Sequence, residues 1–270
     1  MATADTRVKD AAAIKAPYVL GYWNTRALAE PIRLLLVFLG VNWEDKRYQV
    51  GAPSTYDKSA WENEKETLGL SLPNLPYLLN PETGLKLTQT RTILRYLWRM
   101  HGPRDTMPWG EELSADMACE FLFEWWANMF DVTYCDAPCV RYDVWDKLAD
   151  KSRHADGLPQ CQSGGARFDA LLHEYSTTTL PRYLRRISSF LSEASAEVGG
   201  SGQTGSRWLA GSHISYADFV LFELLDTHLL LAPRCLDGFE VLRDLWQRFL
   251  ALPRIASYRA QVCLPYGSAL

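Results

Sequence analysis

The stretch that decides the fold is Gly21–Gly40, "GYWNTRALAEPIRLLLVFLG". It sets a tyrosine and a tryptophan where an apolar, strand-forming run gives way to an amphipathic helix. The run "YVLGYW" is short and rich in residues that favour strands. Leu28, Ile32, Leu35, Leu36 and Leu39 then recur at helical spacing, and Gly40 stops the helix. If the helix opens near Ala27 or Leu28, Pro31 falls in its first turn, where the missing N–H costs little. Tyr22 at this seam has two readings. It is an ordinary buried ring, or its hydroxyl stands beside a helix N-terminus, a place suited to holding an anion.

Working outward, "WEDKRYQV" alternates and predicts a second strand. "GAPSTYDKSAWENEKETLGL" reads as a long loop leading into a short helical turn. "PNLPYLLN" and "LKLTQT" flank a turn and read as a hairpin. "TRTILRYLWRMHG" follows as a helix, with Thr90 as its N-cap and Gly102 beyond its end. This βαβ and then ββα order predicts a small mixed sheet. "GPRDTMPWG" is the first clear linker, and beyond it the pattern is helical throughout. The expected organisation is a disordered tail over 1–16, an α/β domain over 17–101, a linker over 102–112 and an all-helical domain over 113–270.

In the helical half, "ADMACEFLFEWWANMFDVTYC" predicts one long helix, and "RFDALLHEYSTTTLPRYLRRISSFLSEAS" one or two helices broken near Pro181. "GSHISYADFVLFELLDTHLLL" opens a further helix with Ser215 as N-cap and Asp218 reaching back, a capping box with Asp in place of Glu. Ile214 and Phe219 are spaced to close a hydrophobic staple across it. Ser215 and Asp218 are therefore structural, worth about 0.5–2 kcal/mol of local helix stability.

The bulk numbers narrow the function classes. A chain of 270 residues, 47% hydrophobic, has ample core without staples. A net charge of −4 argues against a general nucleic-acid surface. No apolar run reaches the length of a membrane span, and the N-terminus lacks the apolar core of a secretory signal. The six cysteines form no C-x-x-C pair and no metal-ligand set, so they read as free thiols of a cytoplasmic protein.

Several motifs then fall in order: "LGYW.TR.LA..IRLLL", "YD.S.W.NEK..LGL..PNLPYL", "TQT..IL.Y" and, far downstream, "W.AG..IS..DF....LD.H". Together they resemble the glutathione S-transferases, most of all the mu class. The match is weakest from about Val140 to Ser206, where this chain carries extra loop residues. The resemblance implies a thioredoxin-like N-terminal domain with a mixed sheet and a cis proline at Pro76, an all-α C-terminal domain, and a homodimer. It implies detoxifying chemistry: glutathione, as co-substrate, attacks an apolar electrophile as thiolate, with no cofactor, metal, nucleic acid or membrane involved.

The residues can be asked to support that chemistry. A thiol near pKa 8.5 is about 3% ionised at pH 7, and bringing it to about 6.5 takes about 2.7 kcal/mol. One hydrogen bond to a charged group supplies about 1.5–3 kcal/mol. Tyr22 matches the catalytic tyrosine of the family, a hydrogen-bond donor to the sulfur. The resemblance implies glutathione contacts for Trp23, Trp61, Lys65, Asn74, Leu75, Gln89 and Thr90, with Lys58 as an added charge and Glu124 reaching across the dimer. Leu75 would pair its backbone with the cysteinyl residue, and Gln89 and Thr90 would hold the γ-glutamyl carboxylate at a helix N-terminus. Trp61 and Lys65, four apart, share a face if "AWENEK" is helical. Leu28, Phe123, Ala127, Phe130 and Tyr134 would line the second-substrate pocket. A ligand-binding or structural protein on the same fold is the alternative. Thiol–disulfide exchange is disfavoured, because residues 22–25 hold no cysteine.

Overall fold

The computed structural model describes residues 18–51, 57–103, 108–133, 166–196 and 208–261. Strand β1 (Tyr18–Trp23) runs into a 3-10 turn at Ala27–Ala29 and then helix α1 (Glu30–Leu39). Pro31 lies in the first turn of α1, and Gly40 closes the helix in the left-handed conformation at φ 63°. Strand β2 (Trp43–Tyr48) pairs parallel with β1, joined through α1 as a βαβ unit. A four-residue helix α2 (Ser59–Glu62) precedes the hairpin of β3 (Tyr77–Asn80) and β4 (Leu85–Thr88). β3 lies antiparallel to β1, giving a mixed sheet in the order β2-β1-β3-β4. The Leu75–Pro76 peptide is cis. This is the thioredoxin-like arrangement that the resemblance implied.

Helix α3 (Thr90–His101) closes the first half. Its start differs from expectation by one residue: Gln89 is the N-cap, and Thr90 is the first helical residue. The reason is local. The Thr90 hydroxyl donates to the Leu28 carbonyl at 3.2 Å, so it is spent on tying α3 to the turn after β1.

The second half is helical: α4 (Trp109–Thr133), α5 (Ala166–Glu174), α6 (Leu180–Ala196), α7 (Tyr216–Leu231), α8 (Glu240–Leu250) and α9 (Pro253–Gln261). The expected interruption near Pro181 takes the form of a π-helical turn. A π-helical turn over Tyr175–Thr179 joins α5 to α6, so Pro181 falls in the first turn of α6, where its missing N–H is tolerated. The capping box at the head of α7 forms as expected. Asp218 accepts from the Ser215 N–H at 2.7 Å, the Ser215 hydroxyl at 3.0 Å and the Leu209 N–H at 2.7 Å.

Two apolar clusters organise the interior. The larger one joins α1, α3 and one face of the sheet to the helical half, with α7 packed on α1, α3, α4 and α8. The smaller one lies around Tyr22, Tyr48, Trp61, Leu75 and Tyr77. Leu28 of the first domain and Phe130 of the second pack against both, so they mark the seam where the domains meet.

Candidate functional site

The smaller cluster is built from short pieces. β1 delivers Tyr22 at its C-terminal end, β2 delivers Tyr48, the single turn of α2 delivers Trp61, and the loop before β3 delivers Leu75. The rings interlock: Tyr48 meets Trp61 edge-on at 5.5 Å, Trp61 stacks on Tyr77 at 6.0 Å, and Trp23 meets Tyr48 edge-on at 6.3 Å. Tyr22 itself is 2% exposed.

The turn that follows Tyr22 is held by a buried cation. Arg33, fully enclosed, donates to the Thr25 carbonyl at 2.7 Å and to the Trp23 and Arg26 carbonyls at 3.5 Å. Asp45 and Glu30 balance its charge at 3.2 and 3.3 Å. Arg26 crosses to the helical domain, where it meets Glu223 and Asp226 of α7, both at 2.6 Å. Arg259 of α9 also donates to Asp226, at 2.9 Å, and these cations hold its carboxyl below the usual range against burial. Burial pushes the Glu223 carboxyl up, against the pull of Arg26. The turn after Tyr22 is thereby fixed to both domains.

Two backbone outliers flank the cluster. Ala27 has φ 36° and Gln89 has φ 72°, both in the left-handed half of the map that side chains avoid. Gln89 is exposed, at the junction of β4 and α3, with Thr90 buried beside it. Such strain persists only where the surroundings impose it, and it gathers at ligand sites. The first turn of α3 begins at this junction, and the N–H groups of a helix start suit a carboxylate.

The other residues expected for a peptide come from the α2 segment and the loop before β3. Lys65 donates its backbone N–H to the Trp61 carbonyl at 2.9 Å, so the two sit one helical turn apart, and the Lys65 ammonium pairs with Glu62. Lys58 is the N-cap of α2. The Leu75 N–H, expected to pair with a peptide, is taken by the Asn74 side-chain oxygen at 2.8 Å.

The matches to known proteins are read on that geometry. Residues 18–99 match the family model for the glutathione S-transferase N-terminal domain, and residues 165–261 match the model for its C-terminal domain. Over 243 residues the chain is 35% identical to glutathione S-transferase Mu 1 of Oryctolagus cuniculus, covering 90% of each chain. This chain belongs to the glutathione S-transferase family. It is also 35% identical to a glutathione S-transferase of Dermatophagoides pteronyssinus over 89% of each chain, and 34% identical to Mu 4 of Mus musculus over 90% of each. The Pi-class glutathione S-transferase of Onchocerca volvulus superposes with a TM-score of 0.65 at 25% identity, over 93% of this chain and 98% of the other.

For a glutathione S-transferase the second half supplies a mixed set. Phe130 packs on the Tyr22 cluster together with Leu28. Ala127, one turn earlier on α4, is partly exposed. Phe123 stacks on Trp126 at 5.6 Å, whose ring also meets Phe130 at 6.0 Å, and lies under the Arg91 guanidinium at 4.9 Å. Glu124 is exposed and accepts from the Tyr183 hydroxyl at 3.2 Å. Tyr134 and the 1–16 tail lie outside the described residues.

Sequence reasoning missed the groups that hold this cluster and its turn together: Arg33, Arg26, Tyr48, Tyr77 and Glu64. Only part of that was detectable. The i, i+2 spacing of Lys46 and Tyr48 puts both on one face of β2, facing away from Asp45 and Arg47. Nothing local announced that Arg26 would find Glu223, 197 positions away.

Proposed function

We propose that this protein binds reduced glutathione beside Tyr22, keeps its sulfur ionised through the Tyr22 hydroxyl, and conjugates it to apolar electrophiles. The observation that carries this reading is the gathering of Tyr22, Trp61 and Leu75 into one cluster that also touches Phe130 of the helical domain. A thiolate and an apolar co-substrate need such a meeting of the two halves. In this reading Trp61, Lys65 and Lys58 serve the glycyl end, Asn74 and Leu75 the cysteinyl backbone, and Gln89 and Thr90 the γ-glutamyl carboxylate, with Trp23 a further glutathione contact. Leu28, Ala127 and Phe130 line the electrophile pocket, with Phe123 and Tyr134 as further wall positions.

The protein acts as a cytoplasmic homodimer in which Glu124 reaches the γ-glutamyl amine of the partner's glutathione. Trp109, Leu113 and Met117, spaced by four on α4 and 70, 49 and 61% exposed, support pairing of two copies. Cys119 and Cys235 carry no disulfide, which agrees with a reducing compartment. No described helix is long and apolar enough to cross a membrane.

Conjugation of a chloronitrobenzene, followed for the wild type and Tyr22→Phe, tests the assignment. Loss of a hydrogen bond to a charged sulfur worth about 1.5–3 kcal/mol lowers kcat roughly 10- to 150-fold near pH 7. Glutathione binding by calorimetry stays within about twofold. Equal turnover in the two proteins overturns the reading. One observation favours a second one, a ligand-binding or structural protein on the same fold: Tyr22 is 2% exposed. That reading requires glutathione binding without turnover in the wild type.

A further inference from the structure

We infer that Glu64 is a positioning residue for glutathione: by anchoring the α2 segment to the sheet it sets Trp61 and Lys65 where the peptide binds. The inference rests on the functional reading above and adds a residue that contacts no substrate.

Helix α2 spans only Ser59–Glu62. One helical turn has no stability of its own, so the segment needs an outside anchor. Glu64 supplies it, and it lies between Trp61 and Lys65 in the chain. Its carboxylate accepts from the Tyr48 hydroxyl at 2.9 Å and pairs with the Lys46 ammonium, both from β2. Its backbone carbonyl accepts from the Thr67 N–H at 2.9 Å and the Thr67 hydroxyl at 2.7 Å. Its own N–H donates to the Trp61 carbonyl at 3.0 Å. The segment is also held at the opposite edge of the sheet, where Lys86 of β4 donates to the Leu68 carbonyl at 2.7 Å. It is thus strapped across from one edge strand to the other.

The anchor continues into the core. Because the Tyr48 hydrogen goes to Glu64, the second hydroxyl contact of Tyr48, at 2.8 Å, is a donation from Tyr77 of β3. Tyr77 reaches Tyr48 by crossing β1 over Gly21. A Cβ on Gly21 would stand 2.1 Å from Tyr77 Cζ, so the crossing requires glycine there. Trp61 stacks on the same Tyr77 ring. One chain of contacts therefore links Glu64 to the ring that seats the Trp61 indole. The Lys46 ammonium and the Tyr48 hydroxyl hold the Glu64 carboxyl below the usual range, and burial pushes the Tyr48 hydroxyl up. The donor and the acceptor keep their roles throughout the neutral range.

The test compares wild type, Glu64→Ala, Glu64→Gln, Tyr48→Phe and Tyr22→Phe by steady-state conjugation at varied glutathione, with melting curves to check folding. Glu64→Ala raises the glutathione KM about 5- to 20-fold, leaves kcat at saturating glutathione within about twofold, and leaves the pH profile of kcat unmoved. Glu64→Gln, which keeps an acceptor for Tyr48, restores most of the KM. Tyr48→Phe keeps the ring and raises KM about 3- to 10-fold, which serves if the alanine variant folds poorly. Tyr22→Phe shows the opposite split, with kcat lost and KM kept. An unchanged KM in Glu64→Ala and Tyr48→Phe, in a wild type that binds glutathione, overturns this inference alone. A wild type with no affinity for glutathione overturns the functional reading and this inference with it.

Discussion

The polar groups around Tyr22 and those buried along α7 differ in how far they are enclosed. Every residue of α7 from Tyr216 through His228 is buried, including Asp218, Glu223, Asp226, Thr227 and His228. Their partners come from within the protein. Asp218 takes three donors from the loop ahead of it, and Asp226 takes Arg26, Arg259 and the Trp246 indole N–H. The Thr227 hydroxyl donates to the Glu223 carbonyl at 2.6 Å. Around the Tyr22 cluster the elements are short, two backbone outliers persist, and Gln89 stands exposed at the head of α3. The long helix spends its polar groups on the fold. The strand ends and loops also brace theirs inside the fold, through Arg33, Glu64 and the Thr90 hydroxyl, but leave Gln89 exposed at the head of α3, where a ligand can use it.

The sharpest break of that contrast is Asp218→Ala. The substitution leaves the Leu209 and Ser215 N–H groups buried without their acceptor and removes a helix cap. These losses total about 3–5 kcal/mol. At about 2–4 °C per kcal/mol, melting falls by roughly 6–20 °C in a calorimetric scan. Glutathione affinity measured on the folded fraction stays within about twofold, because Asp218 lies in the helical core. A larger change in affinity than in stability would erase the distinction between the two regions.

A pH experiment gives the next largest effect. The His228 Nδ1 faces the Leu224 carbonyl at 2.6 Å, so that nitrogen carries the hydrogen. Nε2 is then an acceptor, taking the Tyr175 hydroxyl at 2.8 Å, while Tyr175 accepts the Trp125 indole N–H at 2.8 Å. The imidazole is satisfied only when neutral, and burial pushes its pKa down to about 4 from 6.5. The unfolded chain therefore takes up this proton first. The stability tied to neutral His228 is complete above about pH 6.5 and is lost as pH falls toward 4, about 3 kcal/mol in all. Asp218, pushed up to about 6 by burial, opposes it, since the folded carboxyl takes its proton first as pH falls. Denaturant unfolding of wild type and His228→Gln at several pH values isolates the histidine. The gap between the two proteins narrows by about 3 kcal/mol from pH 7 to pH 4. A gap that stays constant would mean that the ring is not held neutral.

What the sequence disclosed follows the same division. β1, α1, the hairpin and the head of α7 were legible because period, turn residues and caps are local signals; these predicted a small mixed sheet followed by helices, and the family resemblance made the sheet thioredoxin-like. Tyr22, Trp61 and Leu75 were legible through motif order, and the structure draws them into one cluster. The Arg26–Glu223 tie, the Arg33 brace and the Tyr77 crossing over Gly21 were not, because each joins residues from different elements, and spacing carries no record of such pairs. The shift of the α3 cap from Thr90 to Gln89 had the same origin. The Thr90 hydroxyl had a tertiary partner, the Leu28 carbonyl, that competed with the local cap.

The smallest effect probes the strain itself. Ala27 is 5% exposed and belongs to the Tyr22 cluster, yet it sits at φ 36°. A Cβ in the left-handed region costs about 1–2 kcal/mol. Glycine removes that cost but adds about 0.4–1 kcal/mol of unfolded-state entropy. Ala27→Gly therefore stabilises the protein by about 0.5–1 kcal/mol, a rise of roughly 1–4 °C in melting. Turnover stays within about twofold, because Arg33 holds the Trp23, Thr25 and Arg26 carbonyls whichever residue occupies position 27. A stabilised variant with turnover down tenfold would show that the strained turn, rather than the arginine brace, aims the Tyr22 loop. The functional region would then depend on stored strain, as α7 depends on the partners of its buried Asp218 and Asp226.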